Sequence, residues 1–346
     1  MLVYWLLFAF FAVGALLQRE PLGHRASPVP LVVGALLVWL AIGFRYEVGG
    51  DWVTYRFLFS FARVASLSRV LAIGDPGYQI LSWSAQRAGA DIWLVNLVCG
   101  AIFTWGLYRF ARVQPDPWLT FVVAVPYLII VVAMGYSRQG VAIGVLLAGL
   151  AAVKRGGSML TFAAYVAVAA LFHKTAVVVL PLVIFAWKRN TLLNALAGIA
   201  GCILLYDIFL SQSVDVFVRN YIQAEYSSQG AAIRVAMNFV PAVCFLLFRR
   251  RLRFEPTEER MWFYFALASL LLPVALYLLP SSTAVDRLAL YLIPLQVAVL
   301  PRIPFLFAGQ GFGRAVIVIY AAAVQFTWLN FAAHAAGWIP YKSYLY

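Results

Sequence analysis

The chain has 346 residues, of which 64% are hydrophobic and only 11% are charged, and its mean hydropathy is +0.89. Soluble domains carry roughly 25% charged residues, so these values exclude a water-soluble protein and predict a polytopic membrane protein. Lys and Arg outnumber Asp and Glu by 26 to 13. No polar stretch is long enough to fold by itself, so we expect one all-α integral membrane domain over residues 1–346.

Apolar runs divide the chain into candidate transmembrane helices. A helix needs about 20 residues to cross the hydrocarbon core, with a lower limit near 17. Twelve runs of about this length, two of them short enough to be tilted or half-buried (174–187 and 286–301), lie at 1–17, 29–44, 91–108, 118–136, 138–153, 158–172, 174–187, 190–210, 234–248, 261–279, 286–301 and 314–335.

The basic residues predict how these helices are oriented. The odd-numbered connections, including the basic loop 249–260, hold 15 of the 26 Lys and Arg residues. Short loops rich in Lys and Arg are cytoplasmic in most membrane proteins. Both termini and the even-numbered connections are then predicted on the outer side, which is the periplasm in a Gram-negative cell.

The longest outer connection, 45–90, opens with the first of five polar clusters. Arg45, Gly49-Gly50, Asp51 and Tyr55 follow the second apolar run directly. Asp51 and Tyr55 share a face if the chain turns helical after the glycines, and adjacent glycines permit close approach of the backbone to a ligand. The alternative interpretation is an interfacial turn whose aromatic rings lie at the lipid headgroups.

Two further clusters lie on the predicted outer side. Asp75-Pro76-Gly77 reads as a turn, and Tyr78 and Gln79 begin an amphipathic stretch that predicts an interfacial or partly re-entrant helix. Ser137, Arg138 and Gln139 stand where two apolar runs meet without a polar loop. A charge at that depth faces protein or a water-filled cavity rather than lipid, although a tight turn could serve packing alone.

The last two clusters combine His with cations. His173 precedes Lys174 at an outer helix end, where an adjacent ammonium group and burial both lower the pKa of an imidazole. A neutral imidazole can accept a proton, so His173 is the first candidate for a general base and Asp51 the second. The alternative for His173 is a hydrogen-bonded core residue. Asp286-Arg287 and Tyr291 form a weaker cluster at the start of the eleventh run.

Motifs for other chemistries are absent from the sequence. It contains no phosphate-binding loop, no Rossmann glycine pattern, no nucleophile elbow and no Cys/His metal cluster. The scattered basic residues give no support to nucleic-acid binding. We therefore expect no metal, no cofactor and no nucleic-acid partner.

Taken in order, the five clusters resemble the EpsG family of bacterial exopolysaccharide proteins, which is akin to the Wzy-type O-antigen polymerases. The resemblance covers roughly residues 30–300, and each motif is short, so the order and spacing carry it. One position departs from the family's common spelling, because Trp52 stands where a Tyr often follows the Asp. The matching stretches are Arg45…Gly50-Asp51…Tyr55, Gly77-Tyr78, Ser137-Arg138-Gln139, His173-Lys174-Thr175-Ala176 and Arg287…Tyr291.

The resemblance implies an integral membrane glycosyltransferase with a GT-C-like helical architecture in the bacterial inner membrane. Such a protein joins repeat units carried on undecaprenyl pyrophosphate at the outer face of that membrane. The lipid pyrophosphate is the leaving group, so neither a nucleotide sugar nor a metal is expected. Further expected partners are membrane lipid and a chain-length regulator or export machinery.

The residues themselves agree with an anionic substrate at the outer interface. Guanidinium groups hold phosphate oxygens bidentately, and Arg45, Arg138 and Arg287 are placed on three separate segments. The predicted substrate-binding residues are Arg45, Tyr55, Tyr78, Gln79, Ser137, Arg138, Gln139, Lys174, Arg287 and Tyr291, with His173 and Asp51 as catalytic candidates.

Two alternatives remain open. One is a related glycosyl transfer, either ligation of a finished glycan or addition of a single sugar. The other is a transporter or flippase for a glycolipid, which twelve helices would suit. Transporters tend to show repeated halves with polar sites at the midplane, whereas here the polar residues crowd the outer helix ends.

Overall fold

The computed structural model describes residues 1–18, 28–186, 230–279 and 282–345, together with positions 196, 199, 200 and 203. In these residues the fold is all-α, as predicted, and strand pairing is limited to one isolated bridge. The helices are α1 (Leu2–Leu17), α2 (Pro28–Gly43), α3 (Trp52–Val64), α4 (Leu67–Ala72), α5 (Pro76–Arg87), α6 (Ile92–Ala111), α7 (Pro117–Ala124), α8 (Ser137–Lys154), α9 (Met159–Phe172), α10 (Val179–Ile184), α11 (Ala231–Phe248), α12 (Pro256–Leu278), α13 (Ser282–Ala289), α14 (Ile293–Val299) and α15 (Gln310–Phe331).

Six helical segments are long and apolar enough to cross a membrane: 92–111, 137–154, 231–248, 256–278, 282–306 and 310–331. Shorter apolar helices lie at 2–17, 29–43, 117–133, 159–172 and 174–184. Together these coincide with the predicted segments except the eighth, 190–210, most of which lies outside the described residues. A helix of 16 residues spans about 24 Å, less than the roughly 30 Å of hydrocarbon. The count of twelve crossings and the GT-C-like arrangement therefore stay predictions.

The predicted outer segment 45–90 is largely helical, as expected. Helices α3, α4 and α5 occupy it, and α3 and α5 pack on each other. Helix α3 is amphipathic: Tyr55 and Phe59 are buried, while Val53 and Phe57 are exposed. Helix α5 also packs on α6 and α9, which connects this segment to the longer helices.

The centre of the molecule is the packing of α8 against α6 and α9. Almost every residue of α8 is buried. A Cβ atom built at Gly106 of α6 would lie 1.8 Å from the carbonyl oxygen of Gly144 of α8. The two backbones therefore approach as closely as glycines allow, which is how small residues hold membrane helices together. This contact fixes the start of α8, where Ser137 and Arg138 lie.

Helix α7 continues as a π-helix over Val125–Ala133, which contains Pro126 and is buried throughout. Proline has no backbone N–H and cannot continue the α-helical hydrogen-bond ladder. π-Helical turns often occur at functional sites. Here the π-helix ends just before Tyr136 and the first turn of α8.

Among the described residues, the third, fifth, ninth and eleventh connections contact one another, as the alternation of loops requires. Glu258 accepts contacts from Lys154 at 3.0 Å and from Arg302 at 3.5 Å. Arg314 pairs with Asp116 at 2.9 Å. Arg302 and Arg314 were predicted as cytoplasmic loop cations, yet both are buried. Buried carboxylate partners make that possible, since an unpaired charge there would be very costly.

Candidate active site

The opening loop, Phe44–Asp51, is held on two sides by protein backbone. The N–H of Gly49 donates to the carbonyl of Gly337 at 2.8 Å, and the N–H of Asp51 donates to Gly135 at 3.2 Å. Gly49 has φ +118°, and a Cβ there would lie 2.5 Å from the carbonyl oxygen of Met134. The sequence predicted that the glycines let the backbone approach a ligand. In the structure, Gly49 approaches Met134 at the end of the π-helix instead.

Arg45 lies inside the protein. Its guanidinium donates to the carbonyl of Ile42 at 2.5 Å and to the hydroxyl of Ser137 at 2.6 Å. Only 1% of Arg45 is exposed, and it does not line the cavity described below. Its contact with phosphate stays a prediction. The observed contacts join the end of α2 to the first residue of α8.

Arg138, one residue further along α8, forms the first charged pair of the site. Its Nη1 lies 2.9 Å from a carboxylate oxygen of Asp75, and its guanidinium stacks 5.8 Å from the ring centroid of Tyr55. Burial raises the pKa of Asp75, and the charge of Arg138 together with the N–H of Lys174 opposes that rise. Asp75 was predicted only as a turn residue. It stands at the N-cap of α5, and its carboxylate belongs to the site.

Tyr78 and Gln79 lie behind this pair. Both are almost completely buried, and the ring of Tyr78 packs 5.0 Å from that of Tyr55. Tyr55 itself is buried and accepts a hydrogen bond from the backbone N–H of Arg138 at 3.3 Å. Substrate contacts of these three residues stay predictions. The observed contacts are of Tyr55 with Arg138 and of Tyr78 with Tyr55.

His173 lies in the turn between α9 and the 3₁₀-helix Lys174–Val178. Its Nδ1 is 2.7 Å from the hydroxyl of Thr175 and 2.8 Å from that of Tyr291. Burial lowers the pKa of His173, and the positive charges of Arg138 and Arg287 lower it further. The predicted neutral imidazole is therefore supported, although the dominant cause is burial and the cations are arginines rather than Lys174.

Asp51, the second candidate base, lies within the field of the same two arginines. It is half-buried and precedes α3 as its N-cap residue. Burial raises the pKa of its carboxyl, while Arg287 and Arg138 act in the opposite direction. A carboxyl with a raised pKa is better matched to accepting a proton near neutral pH.

Arg287 connects the polar cluster to a cavity of about 580 Å³. Gln139 donates to the backbone carbonyl of Arg287 at 3.0 Å, and the guanidinium lies 5.8 Å from the ring centroid of Tyr136. Arg287 forms no ion pair with residues that the structure describes, so its charge is available to a ligand. The cavity's polar lining includes Tyr136, Gln139, Arg234, Asp286, Arg287 and His334.

The rest of the cavity wall is mostly apolar. Tyr320, Val324 and Phe331 of α15 line it, together with Met237 of α11 and Leu290. The sequence placed Asp286 in the fifth cluster, but it did not identify the ion-pair partner Arg234 or the cavity residue His334. Arg234 is 52 residues away from Asp286 in the chain, and no local pattern connects the two.

Several of the predicted site residues fall into two connected groups. Arg138 and the N–H of Lys174 contact the Asp75 carboxylate, with His173 and Asp51 in the field of Arg138, and Gln139 and Arg287 border the cavity. In the described residues no group of three His, Cys, Asp or Glu side chains is arranged to hold a metal ion. The arrangement offers cations, a neutral imidazole and a carboxylate beside an apolar cavity.

Comparisons with known proteins agree with the resemblance seen in the sequence. A search of curated proteins finds no match, and a search of solved structures finds none. The sequence profile of the EpsG family matches residues 29–343. This match covers the opening loop, the α8 cluster, His173 and Arg287, and we conclude that the chain belongs to the EpsG family.

Proposed function

We propose that this chain is a membrane glycosyltransferase that joins repeat units carried on undecaprenyl pyrophosphate into an exopolysaccharide. Membership of the EpsG family supports an exopolysaccharide-related membrane protein of the polymerase type. The observation that carries the finer reaction is the cavity, which combines a cationic end at Arg287 with the apolar face of α15. This combination suits a ligand that has a charged head and a hydrocarbon tail.

The cavity is large enough for part of such a lipid but not for all of it. Small-molecule sites enclose roughly 300–1,000 Å³, and this cavity lies in that range at about 580 Å³. Tyr320, Val324 and Phe331 are spaced along one face of α15. We expect the cavity to take the pyrophosphate and the first isoprene units, with the remaining tail in the bilayer.

The reaction needs one bond broken and one formed. The bond between the sugar's anomeric carbon and pyrophosphate breaks, and that carbon bonds to a hydroxyl of the next lipid-linked unit. The hydroxyl proton passes to a base, for which Asp51 and His173 are the candidates. Negative charge grows on the departing pyrophosphate, and fixed guanidinium groups such as Arg138 and Arg287 stabilise it in a water-poor site.

The experiment is incubation of the purified protein with its lipid-linked repeat unit. We expect a ladder of lengthening products. A single addition would favour the alternative glycosyl transfer, and no product at all would refute the proposal. Arg287→Ala should abolish the ladder, whereas Arg69→Ala, an exposed arginine of α4, should leave it intact.

We propose further that the site faces the periplasm. This rests on the basic loops, and cysteine labelling tests it. In a variant without the three native cysteines, Thr54→Cys should react with an impermeant reagent in intact cells, and Thr257→Cys should not. Both positions are exposed. Labelling of the second alone would reverse the orientation.

A further inference from the structure

The surroundings of the His173 ring fix the position of its proton. The hydroxyl of Thr175 donates to the hydroxyl oxygen of Tyr291 at 3.2 Å. The Tyr291 oxygen in turn lies 2.8 Å from Nδ1 of His173, and the two ring centroids are 6.1 Å apart. Tyr291 is completely buried, so its hydroxyl has no access to water.

A buried hydroxyl almost always donates its hydrogen. The hydroxyls of Thr175 and Tyr291 contact each other at 3.2 Å and both contact Nδ1, at 2.7 and 2.8 Å. Among these contacts, both hydroxyl hydrogens can be used only if Nδ1 accepts one of them. An imidazole nitrogen that accepts carries no proton. A neutral His173 with an accepting Nδ1 therefore bears its hydrogen on Nε2.

No described residue forms a hydrogen bond to Nε2. His173 is a partly buried residue and does not itself line the cavity of about 580 Å³, so a ligand would reach it from the polar cluster beside Arg287. The positive charges of Arg138 and Arg287 act on this ring. An oxygen that accepts from Nε2–H in such a field is an anionic one.

We propose that His173 acts as a neutral hydrogen-bond donor, through Nε2–H, to a phosphate oxygen of the departing pyrophosphate, and that Tyr291 and Thr175 are positioning residues that hold this tautomer. The inference rests on the proposed function and assigns a role within it. His173 then cannot serve as the base from Nε2. The acceptor's proton goes to the carboxylate of Asp51, while the pyrophosphate leaves with its negative charge and receives the hydrogen bond.

Substitutions at His173 separate a donor from a base. Gln can place an amide N–H near the position of Nε2, whereas Asn reaches only the position of Nδ1, and neither can act as a base. We expect His173→Gln to keep kcat within about tenfold, and His173→Asn and His173→Ala to lose about 10²–10³-fold, as for a lost oxyanion donor. Equal losses in all three variants, with unchanged thermal unfolding, would overturn the donor role.

The positioning role has its own readout. Tyr291→Phe removes the hydroxyl that lies 2.8 Å from Nδ1 and keeps the ring. It should lower kcat by about tenfold through misplacement of the imidazole and leave KM nearly unchanged. It should also let the proton populate Nδ1, which histidine ¹⁵N chemical shifts report directly. A Tyr291→Phe variant with normal kcat and normal shifts would exclude this role.

The tautomer can be measured without any polymerase assay. The chain has three histidines, so ¹⁵N-histidine labelling together with His24→Gln and His334→Gln assigns the His173 signals. We expect a protonated Nε2, a bare Nδ1, and a shifted Nε2–H signal after addition of inorganic pyrophosphate. A protonated Nδ1, or an Nε2–H signal that pyrophosphate leaves unmoved, would refute the inference even if the polymer ladder forms. The expected spectra without a ladder would instead count against the proposed function alone.

Discussion

The ion pair between Arg138 and Asp75 offers the sharpest test of what the charged residues of the candidate site do. Opposite charges about 4 Å apart attract by about 4 kcal/mol at an effective dielectric constant near 20. The exposed fractions of the two side chains are 24% and 10%, so desolvation offsets part of this attraction. Removing one partner of a buried pair costs about 3–5 kcal/mol of stability. Because Arg138 is partly exposed, we expect Arg138→Ala to lower the free energy of unfolding by about 3 kcal/mol.

Most of that cost comes from the Asp75 carboxylate left without a counter-charge. The double variant Arg138→Ala/Asp75→Asn removes the charge and should unfold within about 1 kcal/mol of the wild type, because pairs that touch are not additive. Thermal unfolding in detergent measures the stability of the single and the double variant. Arg56→Ala is the matched control, since its pair with Asp91 has the same 2.9 Å distance but is exposed and contributes below about 1 kcal/mol.

Polymer formation by the same variants decides between structure and catalysis. If Arg138 binds phosphate, the stabilised double variant still makes no polymer. Arg138→Lys should also remain inactive, because an ammonium group cannot hold two phosphate oxygens in the planar geometry of guanidinium. Polymer of normal length from the double variant would show that Arg138 only neutralises Asp75.

Three further predictions concern other parts of the molecule. Glu258→Gln removes the carboxylate that faces the buried Arg302 and the partly buried Lys154 and should destabilise the protein by about 3 kcal/mol. Glu259→Gln, whose pair with Arg249 is 3.6 Å long with exposed fractions of 33% and 43%, should cost below about 1 kcal/mol. Gly49→Ala combines positive φ with a backbone clash and should cost about 2–4 kcal/mol of stability. The control Gly89→Ala has positive φ but open space around it and should cost about 1–2 kcal/mol. Equal losses in thermal unfolding would contradict this difference. The folded state holds His173 neutral, so protonation of His173 favours the unfolded chain. The free energy of unfolding is therefore unaffected by His173 above its ordinary pKa of 6.5 and decreases below that pH, by up to about 1.4 kcal/mol per pH unit. Unfolding midpoints of His173→Asn between pH 7 and 5 should lack this slope, and a slope equal to the wild type's would contradict it.

The alternation of apolar runs predicted that Arg138, His173 and Arg287 share one end of the molecule, because each crossing reverses the chain direction. In the structure the charges of Arg138 and Arg287 both act on the His173 ring, while the count of twelve crossings stays a prediction. The same logic could not name their partners. Asp75 lies 63 residues from Arg138, and no periodic pattern connects α5 to α8.

Charge counting was less informative at the opposite end. Arg302 and Arg314 look in the sequence like ordinary basic residues of a cytoplasmic loop. They are buried because Glu258 and Asp116, far away in the chain, reach them. Local Lys and Arg density reports orientation, but it does not distinguish a solvated cation from one half of a buried pair.

The opening loop shows how one short stretch can act on the site in two ways. Arg45 is buried, and its hydrogen bond to Ser137 fixes the first turn of α8, so it determines where Arg138 stands. Asp51, six residues later, remains half-buried within the field of Arg138 and Arg287. Gly49, between them, lies so near Met134 that a Cβ there would be 2.5 Å from the Met134 carbonyl oxygen. A change at Arg45 should therefore act through the geometry of Arg138, and a change at Asp51 through proton transfer.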